Sequence, residues 1–306
     1  MIDYSILKEF CAVRSASGDE RKMKVHVLEH VAREKSNWRC QPEIIHGDGF
    51  QDCIILIFGK PKAAIYAHMD SIGFTVRYDN HLVKIGAPHL QSGVRLVGSD
   101  SAGEIECELE VDEDRTMTCR FDREIERGTV LTFKSNWRET EEFVQCCYMD
   151  NRLGVFMALE VCKSLENGAV VFSCWEEHGG GSVPYLSKYL FENHEIRKSL
   201  VCDITWVTEG VDAGSGTVIS MRDSGIPRRS FVEEIISIAK NSSVKYQLEV
   251  EGSGGSDGNE LQKQPYPIDW CFIGPPEEHV HTPDEKVSKS DILDTIRLYE
   301  LLMHNL

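Results

Sequence analysis

With 306 residues, of which 41% are hydrophobic and 27% charged, the chain can bury one sizeable core and carry a smaller module beside it. Its formal net charge of −17 repels phosphate, so no nucleic-acid partner is expected, whereas an acidic cleft attracts metal cations. The opening run Met1-Ile2-Asp3-Tyr4-Ser5-Ile6-Leu7-Lys8 lacks the basic start and apolar block of a secretion signal, and no apolar run is long enough to span a bilayer. A cytoplasmic protein without a membrane partner is the expectation.

Residues 3 to 35 read as two helices separated by Ser17-Gly18-Asp19-Glu20. Ser17 or Asp19 is placed to cap the second, whose apolar positions Met23, Val27, Leu28 and Val31 share one face. Two strands follow, at 53–58 and 63–67, with Gly59 and Pro61 marking the turn between them. The second runs straight into His68-Met69-Asp70.

From about Ile72 to Glu142 the texture changes to short alternating runs separated by Gly, Asp and Asn, the pattern of a small inserted β-rich module without helices. Strand and helix alternate again afterwards. A strand over 143–148 ends at Met149-Asp150-Asn151-Arg152, and a helix carries Val155, Met157, Val161 and Leu165. Strands follow at 169–175, 200–204, 246–250 and 269–273, with helices near 183–193, 228–241 and 288–304. Such alternation predicts an α/β fold, a sheet covered by helices. Eleven cysteines are scattered through the apolar runs without a Cys-x-x-Cys pair, which reads as reduced and mostly buried thiols.

The stretch Trp175-Glu176-Glu177-His178-Gly179-Gly180-Gly181 places two adjacent carboxylates at the end of an apolar strand. Neighbouring strand residues point opposite ways, so one carboxylate can hold a metal while the other moves protons. Other potential ligands at or near strand ends are His68, Asp70, Asp150, Asp203 and His281. In open α/β sheets ligands bind beyond the carboxyl ends of strands, and mixed carboxylates and imidazoles suit zinc, cobalt or manganese. Taken singly, a strand-end His or Asp is more often a cap or a surface polar group. Asp203 lies within an apolar run, where an unpaired carboxylate is costly; a metal would neutralise it, and so would Arg152. Gly252-Ser253-Gly254-Gly255-Ser256-Asp257-Gly258 lacks the Gly-Lys-Ser/Thr of a phosphate cradle and reads as a turn or a loop beside the site.

The order His68-Met69-Asp70, Asp150-Asn151-Arg152, Glu176-Glu177-x-Gly179, Asp203, then His281-Thr282-Pro283-Asp284-Glu285 resembles the di-metal aminopeptidases of the glutamyl/deblocking type, often called TET aminopeptidases, metallopeptidase family forty-two. The resemblance covers nearly the whole chain. It implies an α/β/α sandwich with a mixed central sheet, formed by residues 1–71 and 143–306, and a small β-barrel-like domain at 72–142 serving dimerisation or substrate access. It also implies two divalent metal ions, zinc or else cobalt or manganese. His68 and Asp203 would hold one, Glu177 and His281 the other, and Asp150 would bridge them. Asp70 would orient His68 from behind, and Glu176 would act as general base on a metal-bridging water. Peptide substrates losing their N-terminal residue, and a homo-oligomer of two or more chains, are the implied partners. The related alternative is a di-metal amidohydrolase, a carboxypeptidase or N-acyl amino-acid deacylase; a non-catalytic binding protein is the more distant one. His178 departs from the hydrophobic residue common in the family, and His279 is a rival to His281.

Overall fold

The computed structural model describes residues 2–306. Helices α1 (Ser5–Ala12) and α2 (Arg21–Glu34) open the chain. The residue before α2 is Glu20, not Ser17 or Asp19, and no side chain caps the helix. Ser17 instead donates its hydroxyl to Asp70 at 2.6 Å, a contact between distant segments that local pattern does not reveal.

Three strands follow: β1 (Glu43–Ile45), β2 (Ile54–Phe58) and β3 (Ala63–His68), the last two buried throughout. The chain then makes β4 (Gly73–Val76), β5 (Leu82–Ile85), β6 (Arg95–Asp100), β7 (Gly103–Val111), β8 (Met117–Arg120) and β9 (Val130–Phe133). These six pair only with one another, in the order β5-β4-β9-β6-β7-β8. A bridge between His81 and Thr118 draws the two edges together, so the sheet is a nearly closed small barrel. A 3-10 turn at Tyr78–Asn80 is its one departure from pure β structure among the described residues.

The short strands β10 (Arg138–Glu139) and β11 (Phe143–Gln145) lead to α3 (Met149–Cys162). After it come β12 (Gly168–Ser173), α4 (Val183–His194), β13 (Lys198–Cys202), β14 (Thr205–Trp206) and β15 (Thr217–Arg222). The chain continues through α5 (Arg229–Lys240), β16 (Tyr246–Val250), α6 (Asp257–Lys263), β17 (Asp269–Gly274), β18 (Pro276–Glu278), β19 (Lys286–Ser288) and α7 (Lys289–Asn305). The central sheet has the order β1-β2-β12-β3-β13-β17-β15-β16. Its middle, β12, β3, β13 and β17, is parallel, so their carboxyl ends share one edge; β2 and the β15 to β16 pair run counter to them, and the edge strand β1, antiparallel to β2, runs with them.

Helix α3 packs on β3 and against α1 and α7, with α5 beside α7, while α4 and α6 pack together on the sheet. The result is an α/β/α sandwich with a mixed central sheet. A five-stranded sheet, β10-β11-β19-β18-β14, stands beside it. Strands β1, β14, β15, β18 and β19 and helix α6 escape the sequence pattern. The helix begins inside the Gly-rich stretch, where composition signals a loop.

Candidate metal centre

Five segments converge at the carboxyl edge of the parallel strands. His68 is the last residue of β3, Asp203 follows β13 directly, and Glu176 and Glu177 follow β12. Asp150 is in the first turn of α3, after Tyr148 turns the backbone through a left-handed conformation at φ 69°. His281 comes from the turn between β18 and β19, also left-handed at φ 62°.

The side chains form two groups. His68, Asp150 and Asp203 each offer a ligand atom within 4.8 Å of the others, and so do Asp150, Glu177 and His281. Asp150 belongs to both. Its Oδ1 is 3.1 Å from His68 Nε2 and its Oδ2 is 3.2 Å from His281 Nε2, so each oxygen faces a different imidazole. Asp203 Oδ2 approaches His68 Nε2 to 3.3 Å, and Glu177 Oε2 approaches His281 Nε2 to 3.3 Å. Glu176 is in neither group; its Oε2 is 3.8 Å from His68 Nε2. His279 is also in neither, and lines a separate depression with His89 and Thr282.

A layer of supporting contacts holds these groups. Asp70 is fully buried, with Oδ1 3.4 Å from His68 Nδ1, and it accepts the backbone N–H of Glu176 and of Glu177, each at 3.1 Å. One carboxylate therefore orients an imidazole and fixes the loop of both glutamates. Glu285 accepts the N–H of Asp150 at 3.3 Å and of His281 at 3.0 Å. Ser256 donates to Asp203 Oδ2 at 2.6 Å, which puts the Gly-rich loop beside the site. Gly86, from the barrel, approaches so closely that an added Cβ would lie 3.1 Å from Glu177 Oε2. Its N–H donates to His178 Nδ1 at 3.1 Å, so that exposed imidazole joins the glutamate loop to the barrel.

Arg152 does not neutralise Asp203. It is fully buried, and its guanidinium is spent on the carbonyls of Met69, Asp70 and Ser15. Glu277 was invisible to sequence reading: it is 1% exposed, and no donor reaches either carboxylate oxygen. Nothing local marks it, because its burial comes from the β14, β18 and β19 pairing.

The charge balance is lopsided. Burial, with the neighbouring carboxylates, pushes Glu176, Glu177, Glu277 and Glu285 well above the usual carboxyl range. Burial opposes charge on His68 too, yet Asp203 and Asp150 hold its pKa well above the ordinary value; His281 rises to about 9 for the same reason, with Asp150 prevailing over burial. Buried carboxylates in such excess are costly unless cations compensate them. Glu177 Oε1 also lacks a hydrogen-bond partner within the protein, whereas His68 Nδ1 has the 3.4 Å approach of Asp70. An O- and N-donor set of this kind fits divalent metal ions of the zinc, cobalt or manganese type.

The groups border a cavity of 580 Å³ lined also by Gly86, His178, Thr205, Trp206 and the Gly-rich loop. All eleven cysteines are unbridged and ten are buried, outside this cavity.

A family model described as M42 glutamyl aminopeptidase matches residues 85–298. A curated protein of Acetivibrio thermocellus named as an aminopeptidase is 23% identical over 329 residues, covering 96% of each chain. Among solved structures, a TET aminopeptidase from a marine-sediment Thaumarchaeota archaeon superposes with a TM-score of 0.85 at 18% identity, over 98% of this chain and 95% of that one. A Pyrococcus horikoshii TET1 peptidase, described as assembling into a tetrahedron or a large octahedral shell, gives a TM-score of 0.81 at 20% identity, over 98% and 99%. At these identities the structures show a shared fold.

Proposed function

The chain belongs to the M42 glutamyl aminopeptidase family and is a peptide-bond hydrolase, and on that premise we propose a two-metal site with named roles for its residues. The observation that carries the proposal is the pair of ligand groups joined through Asp150. His68 and Asp203 would hold one divalent ion and Glu177 and His281 the other, with Asp150, a member of both groups, shared between them. Zinc is the expected metal, with cobalt or manganese as alternatives. Two such ions would supply an acidified bridging water and a polarised scissile carbonyl.

The remaining chemistry belongs to the chain. Glu176 lies beside the ligand groups without joining them, and burial raises its proton affinity. Those are the properties of a general base that takes a proton from the attacking water and returns it to the departing amine. Asp70 keeps the His68 imidazole oriented with Nε2 toward the ligand groups and fixes the Glu176 backbone. The free α-amine of a peptide is the cationic group that this carboxylate-rich pocket favours, which selects N-terminal residues. Residues 72–142 form an inserted domain that supplies Gly86 to the cavity rim and governs substrate access. Among the described residues no helix is long and apolar enough to cross a membrane, in keeping with a cytoplasmic enzyme. The fold neighbours support a homo-oligomer of two or more chains.

Metal analysis combined with paired substrates tests the reading. The expected result is about two ions per chain, and hydrolysis of leucyl amides that stops on chelation and on N-acetylation of the substrate. Hydrolysis only of the acetylated partner would assign a deacylase instead.

A further inference from the structure

We propose that this site removes basic N-terminal residues, lysine or arginine, because the cavity wall on the Asp203 side carries uncompensated carboxylates. The inference rests on the aminopeptidase reading and deepens it. Asp223, Glu249 and Glu251 line the same cavity as Asp150, Glu176 and Glu177. They sit close to the ligand groups by continuous contacts. Thr205, two residues after Asp203, donates its hydroxyl to Glu249, and the Ser256 that binds Asp203 belongs to the loop whose Gly254 carbonyl accepts the N–H of Ser224 at 3.3 Å.

The wall is built rather than incidental. Glu249 is 3% exposed and Asp223 is 7% exposed, yet among the described residues none of the three carboxylates forms an ion pair. Asp223 Oδ1 accepts the Gly225 N–H at 2.6 Å, while its Oδ2 receives no hydrogen bond from the protein. Arg222 turns its Nε to the Asp223 carbonyl at 3.2 Å and does not line the cavity. Buried carboxylates without cations are costly, so a cationic ligand gains by entering. Trp206 flanks the same space, with an indole packed near Gly254, and an aromatic face favours an ammonium or guanidinium group.

The polarity also argues against the substrate for which the family is named. A glutamate side chain would meet three carboxylates here. The amine and carbonyl of the N-terminal residue must both reach the ligand groups, so its side chain enters the cavity that those groups share with Asp223, Glu249 and Glu251.

The metal-loaded enzyme is assayed on Lys-, Arg-, Leu- and Glu- amides of aminomethylcoumarin, with Leu-Lys and Leu-Leu dipeptides read in parallel. Expected is a kcat/KM for Lys and Arg at least about 10-fold above Leu, with Glu lowest. In Asp223→Asn, Glu249→Gln and the half-exposed Glu251→Gln the Lys-to-Leu ratio falls, and in Glu251→Lys the Glu substrate gains. Because the ratio is measured within one protein sample, loss of folded enzyme cancels. Equal rates for Lys and Leu, or discrimination only at the second residue of the dipeptides, would overturn the inference while leaving an aminopeptidase. No cleavage of any unblocked substrate would overturn the functional reading itself.

Discussion

Asp70 offers the sharpest test of how the site is held. Its carboxylate accepts the Ser17 hydroxyl at 2.6 Å and two backbone N–H groups at 3.1 Å, and faces His68 Nδ1 at 3.4 Å, all without solvent. In Asp70→Asn the amide oxygen can replace Oδ2 and keep Ser17 and Glu177. The amide NH2 then stands at Oδ1, facing the Glu176 N–H. A hydrogen bond to a charged acceptor contributes about 1.5–3 kcal/mol, and the stranded N–H costs about 1–3 more. His68 also loses the acceptor that keeps a proton on Nδ1 and leaves Nε2 free as a ligand. Metal affinity is expected to fall about 10–100-fold, the usual effect of removing such a partner. A chromophoric chelator competing for zinc measures the affinity, and the melting temperature of chelated protein reports the folding share. Affinity within twofold of wild type, with kcat unchanged, would refute the orienting role.

Three further outcomes follow from the same geometry. Glu176→Gln should keep its metal content, because Glu176 is outside both ligand groups, while kcat drops about 10²–10⁴-fold; a rate near wild type would transfer the base to another residue. Gly86→Ala should weaken metal binding, since φ is +68° and the new Cβ meets Ile72 Cγ2 at 2.8 Å and Glu177 Oε2 at 3.1 Å; an unchanged titration with zinc would show that the barrel rim yields freely. Burial raises Glu20 and Asp257 each to about 7 in the folded chain, from 4.5 and 3.8. Their protonated forms are thus favoured by folding, so this contribution is complete below about pH 4 and lost as pH rises through about 7, at most about 3 kcal/mol for Glu20 and about 4 kcal/mol for Asp257. Melts of chelated protein between pH 5 and 8 should fall with rising pH, and less steeply in Asp257→Asn.

Much of this was legible in the sequence because the informative residues sit at strand ends. The apolar run before Glu176-Glu177 and the one ending at His68 are buried strands, and burial follows from composition without knowledge of partners. The order of motifs located the family, and the break in texture after Ile72 located the barrel strands. Local pattern failed where a residue answers to a distant segment. Ser17 has the composition of a helix cap but bonds Asp70, and Arg152 looks like a partner for Asp203 but binds carbonyls.

Tertiary structure alone decided the assembly. Sequence could list His68, Asp150, Glu177, Asp203 and His281; only the parallel alignment of β12, β3, β13 and β17 brings their carboxyl ends to one edge. Only folding turned the two oxygens of Asp150 toward different imidazoles, and buried Glu277 and Glu249 where neither has a cation. Side-chain type is a property of the chain, but the cost of a carboxylate depends on how much water and opposite charge surround it, and that is fixed by packing.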